Sequence, residues 1–436
     1  MLKRATRHNL FTENVDKFVE QDPHLHFLAT QTFAFESTWW RAINFNEPGI
    51  YILTGGRQVG KSTSCKQLIL NCIHNKDFAR ETIFYLPCDE IFDVKELGIV
   101  IRDFISTVGN AKFLLIVDEI TFIPGWERLI KSLADEGVFR QGLCLLTGSD
   151  TLMLKEASMS FPGRRGNAPQ VDFHLYPLSF AEYVGLVHRD GAVGNDDLER
   201  YFKDYLKSGG YLRAINNLAD KGEVLDATYF TYEQWIRGDF LKQKKNEEYL
   251  LVVLQALFTI GVSPTSYSKL TQKIGLLSKE TCINYCNLLE RMDVLLTLQA
   301  YDQNKKQGFP RKNRKFHFFD PFIWQTIYRW LQREGYLNDR QFEEAIVEAI
   351  VASHCARVGK SFYFKGQGEV DVIWLKDSQP HAIEVKWTEQ SRPLDLKTLK
   401  QFANPLIVTK HFFSGEKEGI PMQPIYQFLY EIHSAK

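Results

Sequence analysis

The chain has 436 residues, of which 44% are hydrophobic and 24% charged, a composition that excludes a disordered protein and predicts several globular domains. Lys plus Arg and Asp plus Glu number 53 each, so no overall field attracts nucleic acid or membranes, and any such contact must come from a local patch. No apolar stretch is long enough for a membrane span, and no apolar signal core follows the basic amino terminus, so we expect a cytoplasmic protein.

The segment from residue 50 to residue 72 predicts a nucleotide site. Residues 50–53 form an apolar run typical of a buried parallel strand, and apolar residues at helical spacing follow from residue 62 onward. Between them lies the phosphate-binding pattern G-x-x-x-x-G-K-[ST], formed by Gly55, Gly56, Arg57, Gln58, Val59, Gly60, Lys61 and Ser62, with Thr63 next. Such a loop directs backbone amides and a positive helix end at a triphosphate. The alternative is a purely structural Gly-rich turn.

A second apolar run, residues 113–117, ends in the adjacent carboxylates Asp118 and Glu119. Beside a triphosphate, Ser62 and Asp118 would bind Mg²⁺, Asp118 directly or through water. Lys61 would meet the β- and γ-phosphates, and Glu119 would orient or deprotonate the attacking water. Without a nucleotide the two acids would serve as a helix N-cap and its first-turn acid.

A third run, residues 143–147, places Thr147 and Ser149 at the same sheet edge, where either can contact the γ-phosphate or the lytic water, or can cap the next helix. With residues 82–86 and 171–175, these runs predict a parallel sheet flanked by helices. The loop before the last strand carries Arg164 and Arg165. One of them can act as an arginine finger in its own or a neighbouring subunit, or both can be solvated loop arginines.

Residues 186–245 predict a helical lid or connector, and residues 246–335 predict a winged helix of three helices and a two-stranded wing. The wing carries six cations that can contact nucleic-acid phosphates: Lys305, Lys306, Arg311, Lys312, Arg314 and Lys315. A basic hairpin tip can also simply keep a sheet edge soluble.

Residues 336–436 predict a further α/β domain. Two strands, near residues 368–374 and 381–387, would bring Asp371 beside Glu384, with Lys386 on the same face as Glu384. The two carboxylates, with Glu344 from the preceding helix, would bind Mg²⁺, and Lys386 would position water or stabilise charge on a scissile phosphate. The alternative is a ladder of cross-strand salt bridges.

Together these segments resemble a prokaryotic family of predicted AAA-type ATPases, close to the archaeal-type and signal-transducing ATPases with numerous domains. The resemblance rests on G-R-Q-V-G-K-S-T at 56–63, V-D-E-I at 117–120, I-P-G-W-E-R-L-I-K-S-L at 123–133, L-T-G-S at 146–149, G-R at 163–164, P-L-S-F-A-E at 177–182, and E-V-D and I-E-V-K near the end. The family couples a P-loop core to a winged helix and a domain from the PD-(D/E)xK nuclease superfamily. The resemblance implies that the nucleotide is ATP.

We therefore expect an α/β protein with an AAA/RecA-like P-loop core at 1–185, a helical connector at 186–245, a winged helix at 246–335 and a nuclease-like domain at 336–436. The expected function is a Mg²⁺-dependent ATP hydrolase that acts as a switch on DNA, as a monomer or homo-oligomer, with cleavage by the terminal domain left open. The alternative is a nucleotide-gated interaction protein whose nuclease-like domain is inactive.

Overall fold

The computed structural model describes residues 5–148, 153–154, 161, 163–189, 191–275, 278–337, 343–387, 393–410 and 415–434, so the predicted role of Ser149 lies outside the described residues. The chain divides into two compact units, Met1–Tyr176 and Pro177–Lys436. Within the described ranges, no helix combines the length and apolar character that a bilayer crossing requires.

The first unit is built on a five-stranded parallel sheet. Its strands are β1 (Gly49–Thr54), β2 (Ile83–Pro87), β3 (Phe113–Asp118), β4 (Gly142–Thr147) and β5 (Asp172–His174). They lie in the order β2-β3-β4-β1-β5, and every neighbouring pair is parallel. The first four strands are buried along their whole length, which is why they appear in the sequence as continuous apolar runs. The predicted α/β fold with a parallel sheet is confirmed.

Among the described residues, the α-helices given bounds beside this sheet are α1 (Val15–Gln21), α2 (Pro23–Ala29), α3 (Lys61–His74), α4 (Val94–Val108) and α5 (Trp126–Asp135). Successive side chains of β1 point to opposite faces of the sheet and belong to two different hydrophobic clusters. Ile50 and Ile52 pack in a cluster with residues of α4 and α5, whereas Tyr51 and Leu53 pack in a cluster with residues of α1, α2 and α3. The sheet is therefore covered on both faces.

The second unit begins with four helices: α6 (Phe180–Val187), α7 (Asn195–Ser208), α8 (Leu212–Lys221) and α9 (Asp226–Lys242). Residues 177–185, which the sequence analysis placed in the ATPase core, lie in this unit. Helix α7 ends at Gly209, whose φ of 52° is left-handed. The N–H of Gly210 donates a 3.0 Å hydrogen bond to Asp320. This bond holds in place the two glycines that end helix α7, and we call them the glycine stop of α7.

Three helices and an antiparallel hairpin follow, as the sequence predicts. They are α10 (Glu247–Ile260), α11 (Tyr267–Ile274), α12 (Lys279–Arg291), β6 (Leu295–Asp302) and β7 (Gln307–Phe318), and α13 (Pro321–Arg333) comes next. Ser278 is the N-cap of α12 and accepts a 3.1 Å hydrogen bond from the N–H of Thr281. Strand β7 contains four of the six predicted wing cations: Arg311, Lys312, Arg314 and Lys315.

The terminal part of the second unit adds more elements: α14 (Glu343–Val358), β8 (Lys360–Lys365), β9 (Glu369–Lys376), β10 (Gln379–Lys386), α15 (Pro393–Leu399), β11 (Asn404–Thr409), β12 (Gly415–Lys417), β13 (Ile420–Pro424) and α16 (Ile425–Ser434). Its strands and the hairpin share one sheet, in the order β12-β13-β11-β10-β9-β8-β6-β7. Strand β6 joins β8 through Ala300 and Tyr363. The hairpin and the terminal strands are therefore structurally continuous.

Candidate functional site

The loop between β1 and α3 has the backbone that a phosphate-binding loop requires. Gly55 has φ 150°, and a Cβ there would lie 2.4 Å from the carbonyl oxygen of Leu175, so only glycine fits. Gln58 and Gly60 also have positive φ, at 62° and 94°. Gly60 is the N-cap of α3 and has no side chain to satisfy the first N–H groups of that helix. These amides are the groups that bind phosphate in such loops.

The Lys61 side chain folds back over this loop. Its ammonium donates hydrogen bonds of 2.9 Å to the carbonyl of Gly55 and 2.8 Å to the carbonyl of Gly56, and the residue is 5% exposed. The loop therefore already orders the lysine beside the predicted phosphate position. The other loop residues, Arg57, Gln58 and Val59, remain at least partly accessible, as do Ser62 and Thr63 at the start of α3.

Asp118 is held by two hydroxyl groups at the carboxyl ends of neighbouring strands. Thr147 donates a 2.5 Å hydrogen bond to Oδ1, and Tyr85 donates a hydrogen bond to Oδ2. Burial, together with the Asp118 charge, raises the pKa of Tyr85 well above its usual value, so Tyr85 stays protonated and can donate. Ser62 acts on the pKa of Tyr85 in the opposite direction, lowering it, so the two hydroxyl groups are neighbours. The loop and the acid therefore belong to one polar cluster.

Thr147 lies at the strand ends where the sequence placed it, between the loop and the acid. Strand β4 lies between β1 and β3, so the acid is two strands from the loop, about 10 Å in a sheet of ordinary spacing. Thr147 fills the intervening position, is fully buried and directs its hydroxyl at Asp118. Its observed contact positions the acid, and its contact with a phosphate, with the lytic water or with a helix end stays a prediction.

Glu119 follows Asp118 in a left-handed conformation, with φ 54° and ψ 39°. A side chain other than glycine rarely adopts this backbone, which costs free energy and is common at functional sites. This turn ends β3 at Asp118. Asp118 is buried, whereas Glu119 is only partly buried. Two adjacent carboxylates thereby acquire different environments.

A buried ion pair behind the loop was not found from the sequence. Lys66 of α3 and Asp22 lie 2.5 Å apart, and their side chains are 1% and 0% exposed. Asp22 also accepts hydrogen bonds from the N–H groups of His24 and Leu25 as the N-cap of α2. The Lys66 ammonium lies 2.9 Å from His24 Nδ1 and 5.2 Å from the centre of the Tyr85 ring. The amino-terminal helices thus fix the helix that carries the loop.

The basic residues of the hairpin do not share one environment. Lys305, Lys306, Arg311 and Lys312 are exposed, whereas Arg314 is partly buried with its guanidinium 5.0 Å from the centre of the Tyr267 ring. Lys315 is fully buried, so its predicted contact with nucleic acid is wrong. The alternation of β7 explains the difference, because Lys315 faces the terminal elements while its neighbours face α11 or solvent.

Lys315 lies in a cluster of carboxylates that includes Asp371, one of the residues that the sequence assigned to Mg²⁺. Its Nζ lies 2.8 Å from Glu348, 2.8 Å from Glu369 and 3.0 Å from Asp371. These carboxylates outweigh burial and raise the pKa of Lys315 well above its usual value. Glu344, the predicted helix ligand, is exposed, and Glu348 one turn later occupies the position instead.

Asp371 and Glu384 stand side by side, as the sequence predicts. The N–H of Val385 donates a 2.9 Å hydrogen bond to Asp371, and Lys386 lies 2.5 Å from Glu384. Burial raises the pKa of Glu384 to about 8, with Asp371 adding to the effect, and burial likewise raises the pKa of Glu348 to about 8. In the part of the chain that the structure describes, no group of three or more His, Cys, Asp or Glu residues is arranged to hold a metal ion.

Comparison with known families covers the segment that contains the first of these sites. A family model described as "AAA domain" matches residues 47–184. This segment is therefore similar to AAA domains. Two models described as domains of unknown function, DUF8612 and DUF4143, match residues 199–334 and 340–426. The comparison with curated proteins gave no match.

Solved structures show distant similarity to the chain. A Walker-type ATPase of Pyrococcus abyssi is 14% identical with a TM-score of 0.43, and the alignment covers 64% of this chain and 91% of that one. The Aeropyrum pernix ORC2 protein, in ADPNP–ADP complexes, is 12% identical with a TM-score of 0.40, over 73% and 95% of the two chains. The Aeropyrum pernix ORC1 protein in complex with DNA is 12% identical with a TM-score of 0.33, over 76% and 97%.

Arg164, one of the predicted arginine fingers, lies at the opposite end of the strands from the phosphate-binding loop. Arg164 forms an ion pair with Asp135, 2.5 Å away, at the end of α5. The adjacent Arg165 backbone packs against Gly49, the first residue of β1, whereas the loop follows the last residue of that strand. Five steps along a strand span about 17 Å. Arg164 is therefore distant from the loop of its own chain, and its role as an arginine finger stays a prediction.

Proposed function

We propose that this protein is a Mg²⁺-dependent ATPase that acts as a nucleotide-controlled switch on DNA. The observation that supports the ATPase most directly is the polar cluster in which Tyr85 donates a hydrogen bond to Asp118 and lies near Ser62. It brings the end of the phosphate-binding loop and the acid of β3 to one edge of the sheet. The AAA match over residues 47–184 agrees with this assignment.

Each residue of the cluster has a defined role in this proposal. The loop amides and Lys61 bind the phosphates, and Lys61 exchanges its two carbonyl partners for phosphate oxygens. Ser62 and Asp118 hold Mg²⁺, which when bound neutralises charge on the phosphates. Glu119 orients or deprotonates the attacking water. Thr147 keeps the Asp118 carboxylate in place.

The hairpin and α12 support the contact with DNA. A cavity of about 610 Å³ lies between α11, α12 and the hairpin, and its lining includes Lys279, Arg311, Lys312 and Arg314. Ser268, Asn287 and Gln299 add neutral hydrogen-bonding groups to the same cavity. Concentrated cations with polar neighbours suit phosphate and sugar oxygens, and they supply the local patch that a chain of zero net charge needs.

A second candidate is a nucleotide-gated interaction protein whose terminal domain is catalytically inactive. The buried contact of Lys315 with the carboxylates of the terminal domain favours this alternative, because it engages the groups that cleavage would use. ATP hydrolysis is part of both candidate functions. They differ in whether the protein acts on DNA or on another partner.

The test is steady-state ATP turnover by the full chain with and without duplex DNA. We expect DNA to stimulate turnover, and Lys61→Ala to abolish turnover and nucleotide binding. Arg311→Ala with Lys312→Ala should weaken DNA binding and lower the slope of log K against log salt by about two, because each lost phosphate contact lowers it by about one. Lys95→Ala, on the exposed face of α4, is the control. Turnover that DNA neither changes nor requires, with no DNA binding, would support the interaction protein instead.

A further inference from the structure

The Lys315 ammonium is enclosed by carboxylates of the terminal part of the chain. Its three oxygen neighbours belong to Glu348, Glu369 and Asp371, at 2.8, 2.8 and 3.0 Å. The Lys315 side chain has no exposed surface. The ammonium donates hydrogen bonds to Glu348 and Asp371 and forms a further ion pair with Glu369.

The terminal elements build this pocket without the hairpin. Glu369 and Asp371 are two residues apart on β9 and share one face of the strand, and Glu348 comes from α14. The second oxygen of Asp371 accepts the 2.9 Å hydrogen bond from the N–H of Val385 on β10, which fixes the carboxylate. The three acids therefore all come from the terminal elements, and one of them, Asp371, is fixed independently of Lys315.

Lys315 belongs to strand β7 of the hairpin and not to the terminal elements that supply the acids. The next residue, Phe316, lies on the opposite face of β7 and packs on Tyr267 of α11. One face of β7 therefore contacts the carboxylates and the other contacts α11. A shift in the pairing of β6 and β7 precedes this point, because Gln299 pairs with Arg314 while Ala300 pairs with Phe309. The irregularity gives β7 a local bend just before Lys315.

The arrangement fits an ammonium and not the Mg²⁺ that the sequence analysis placed there. Mg²⁺ requires oxygen ligands at about 2.0–2.1 Å in a near-octahedral set. In the structure the centre of the carboxylates is filled by Lys315 Nζ at ordinary hydrogen-bond distances, and Glu384, the other predicted ligand, is paired with Lys386. A divalent ion and the ammonium cannot occupy the same centre.

We propose that the carboxylate pocket is a socket for Lys315, which takes the place of a divalent cation and so keeps the terminal domain from metal-dependent cleavage while the hairpin is docked. Removal of the lysine converts the same pocket into a divalent-cation site. The proposal concerns the second unit alone and holds whether or not the hairpin contacts DNA.

The test uses the nucleotide-free full chain and Mn²⁺ as the probe, with thermal unfolding and Mn²⁺ electron paramagnetic resonance as readouts. Lys315→Ala empties the centre, so we expect a lower melting temperature that MnCl₂ raises again by roughly 5 °C through binding to the folded state. Lys315→Met removes the charge but keeps the volume, so its lower melting temperature should not respond to MnCl₂. Lys360→Ala, at an exposed lysine on β8, should behave as the wild type does.

Two further measurements localise the effect. Adding Asp371→Asn to Lys315→Ala should abolish the MnCl₂ response, because the pocket loses a charged ligand. If Lys315→Ala folds only when MnCl₂ is present, that dependence supports the socket, and failure to fold with MnCl₂ overturns it. Wild-type protein that binds Mn²⁺, and loses that binding on Asp371→Asn, also overturns the proposal, as does a Lys315→Ala variant whose stability ignores MnCl₂.

Discussion

Thr147 holds Asp118 from the strand that separates it from the phosphate-binding loop, through a 2.5 Å hydrogen bond to Oδ1. Thr147 is fully buried and Asp118 is 3% exposed, so water cannot replace this contact. The orientation of the Asp118 carboxylate therefore depends on Thr147, to which our proposal gives no direct contact with the nucleotide.

We predict that Thr147→Val lowers kcat for ATP turnover by roughly 10- to 100-fold, the usual cost of losing a partner that orients a metal-binding group. Valine keeps the shape of threonine, so ATP affinity should change little, whereas more Mg²⁺ should be needed for half-maximal rate. Turnover assays across a Mg²⁺ titration measure both effects. Thr107→Val, on the exposed face of α4, is the matched control. An unchanged kcat and Mg²⁺ requirement would show that Thr147 has no part in orienting Asp118.

The ion pair between Asp22 and Lys66 leads to a second prediction. Loss of one partner of a buried pair leaves an uncompensated charge and typically costs about 3–5 kcal/mol. We expect Asp22→Asn and Lys66→Met each to lower the free energy of unfolding by that order, and the double variant to lose less than the sum.

Denaturant unfolding of the four proteins completes this cycle, and Lys95→Met on the exposed face of α4 serves as the control. Asparagine can still cap α2, so the effect of Asp22→Asn reports mainly on the lost charge. Strictly additive losses would mean that the two side chains do not stabilise each other.

The strands of the first unit could be read from the sequence because burial on both faces leaves an uninterrupted apolar run. Residues 143–147, for example, form one such run, and the structure has strand β4 there. The identity of the helix ligand could not be read in the same way. Glu344 and Glu348 are one turn apart and share a face of α14, so periodicity alone does not choose between them.

The burial of Lys315 also could not be predicted from the local sequence pattern. Lys312, Arg314 and Lys315 are close in sequence, and their charge alone predicts one solvated surface. Strand alternation separates Lys315 from its neighbours, but only the packing of α14 and β9 on that face turns the separation into burial. A sequence without its tertiary partners cannot distinguish an outward cation from an inward one.

The position of Arg164 yields a third prediction. An arginine finger contributes about 10³- to 10⁵-fold to turnover. In its own chain, however, Arg164 lies near the amino-terminal ends of the strands, whereas the loop lies at their carboxyl ends. We expect Arg164→Ala to leave the turnover of dilute, monomeric protein within a few-fold of the wild type.

The same assay at increasing protein concentration examines a contribution across subunits. If turnover of the wild type rises as the protein associates and that of Arg164→Ala does not, Arg164 serves a neighbouring site. Asp135→Ala separates this effect from the ion pair, since it frees Arg164 without removing it. A thousand-fold loss in the dilute Arg164→Ala protein would contradict the placement described above.

Asp320 provides the last prediction, on pH dependence. It is 1% exposed and accepts hydrogen bonds from the N–H groups of Gly210 and Phe322, which join the glycine stop of α7 to the start of α13. Burial raises its pKa from 3.8 to about 6, although these N–H groups oppose the shift. Between those two pH values the folded chain binds a proton that the unfolded chain has released. The contribution of Asp320 to stability is therefore complete below pH 3.8 and declines as pH rises through 6.

The full shift corresponds to about 3 kcal/mol, of which about 2 kcal/mol is lost between pH 4 and 6. Asp320→Asn cannot titrate, so the free energy of unfolding of the wild type, minus that of the variant, should fall by about 2 kcal/mol between pH 4 and 6. Asp226→Asn is the matched control, because the Asp226 side chain is 92% exposed and its loss should leave the slope unchanged. Equal slopes for wild type and Asp320→Asn would mean that the folded chain holds Asp320 ionised throughout, with its backbone hydrogen bonds outweighing burial. The glycine stop of α7 would then be fixed by a charge and not by a carboxylic acid.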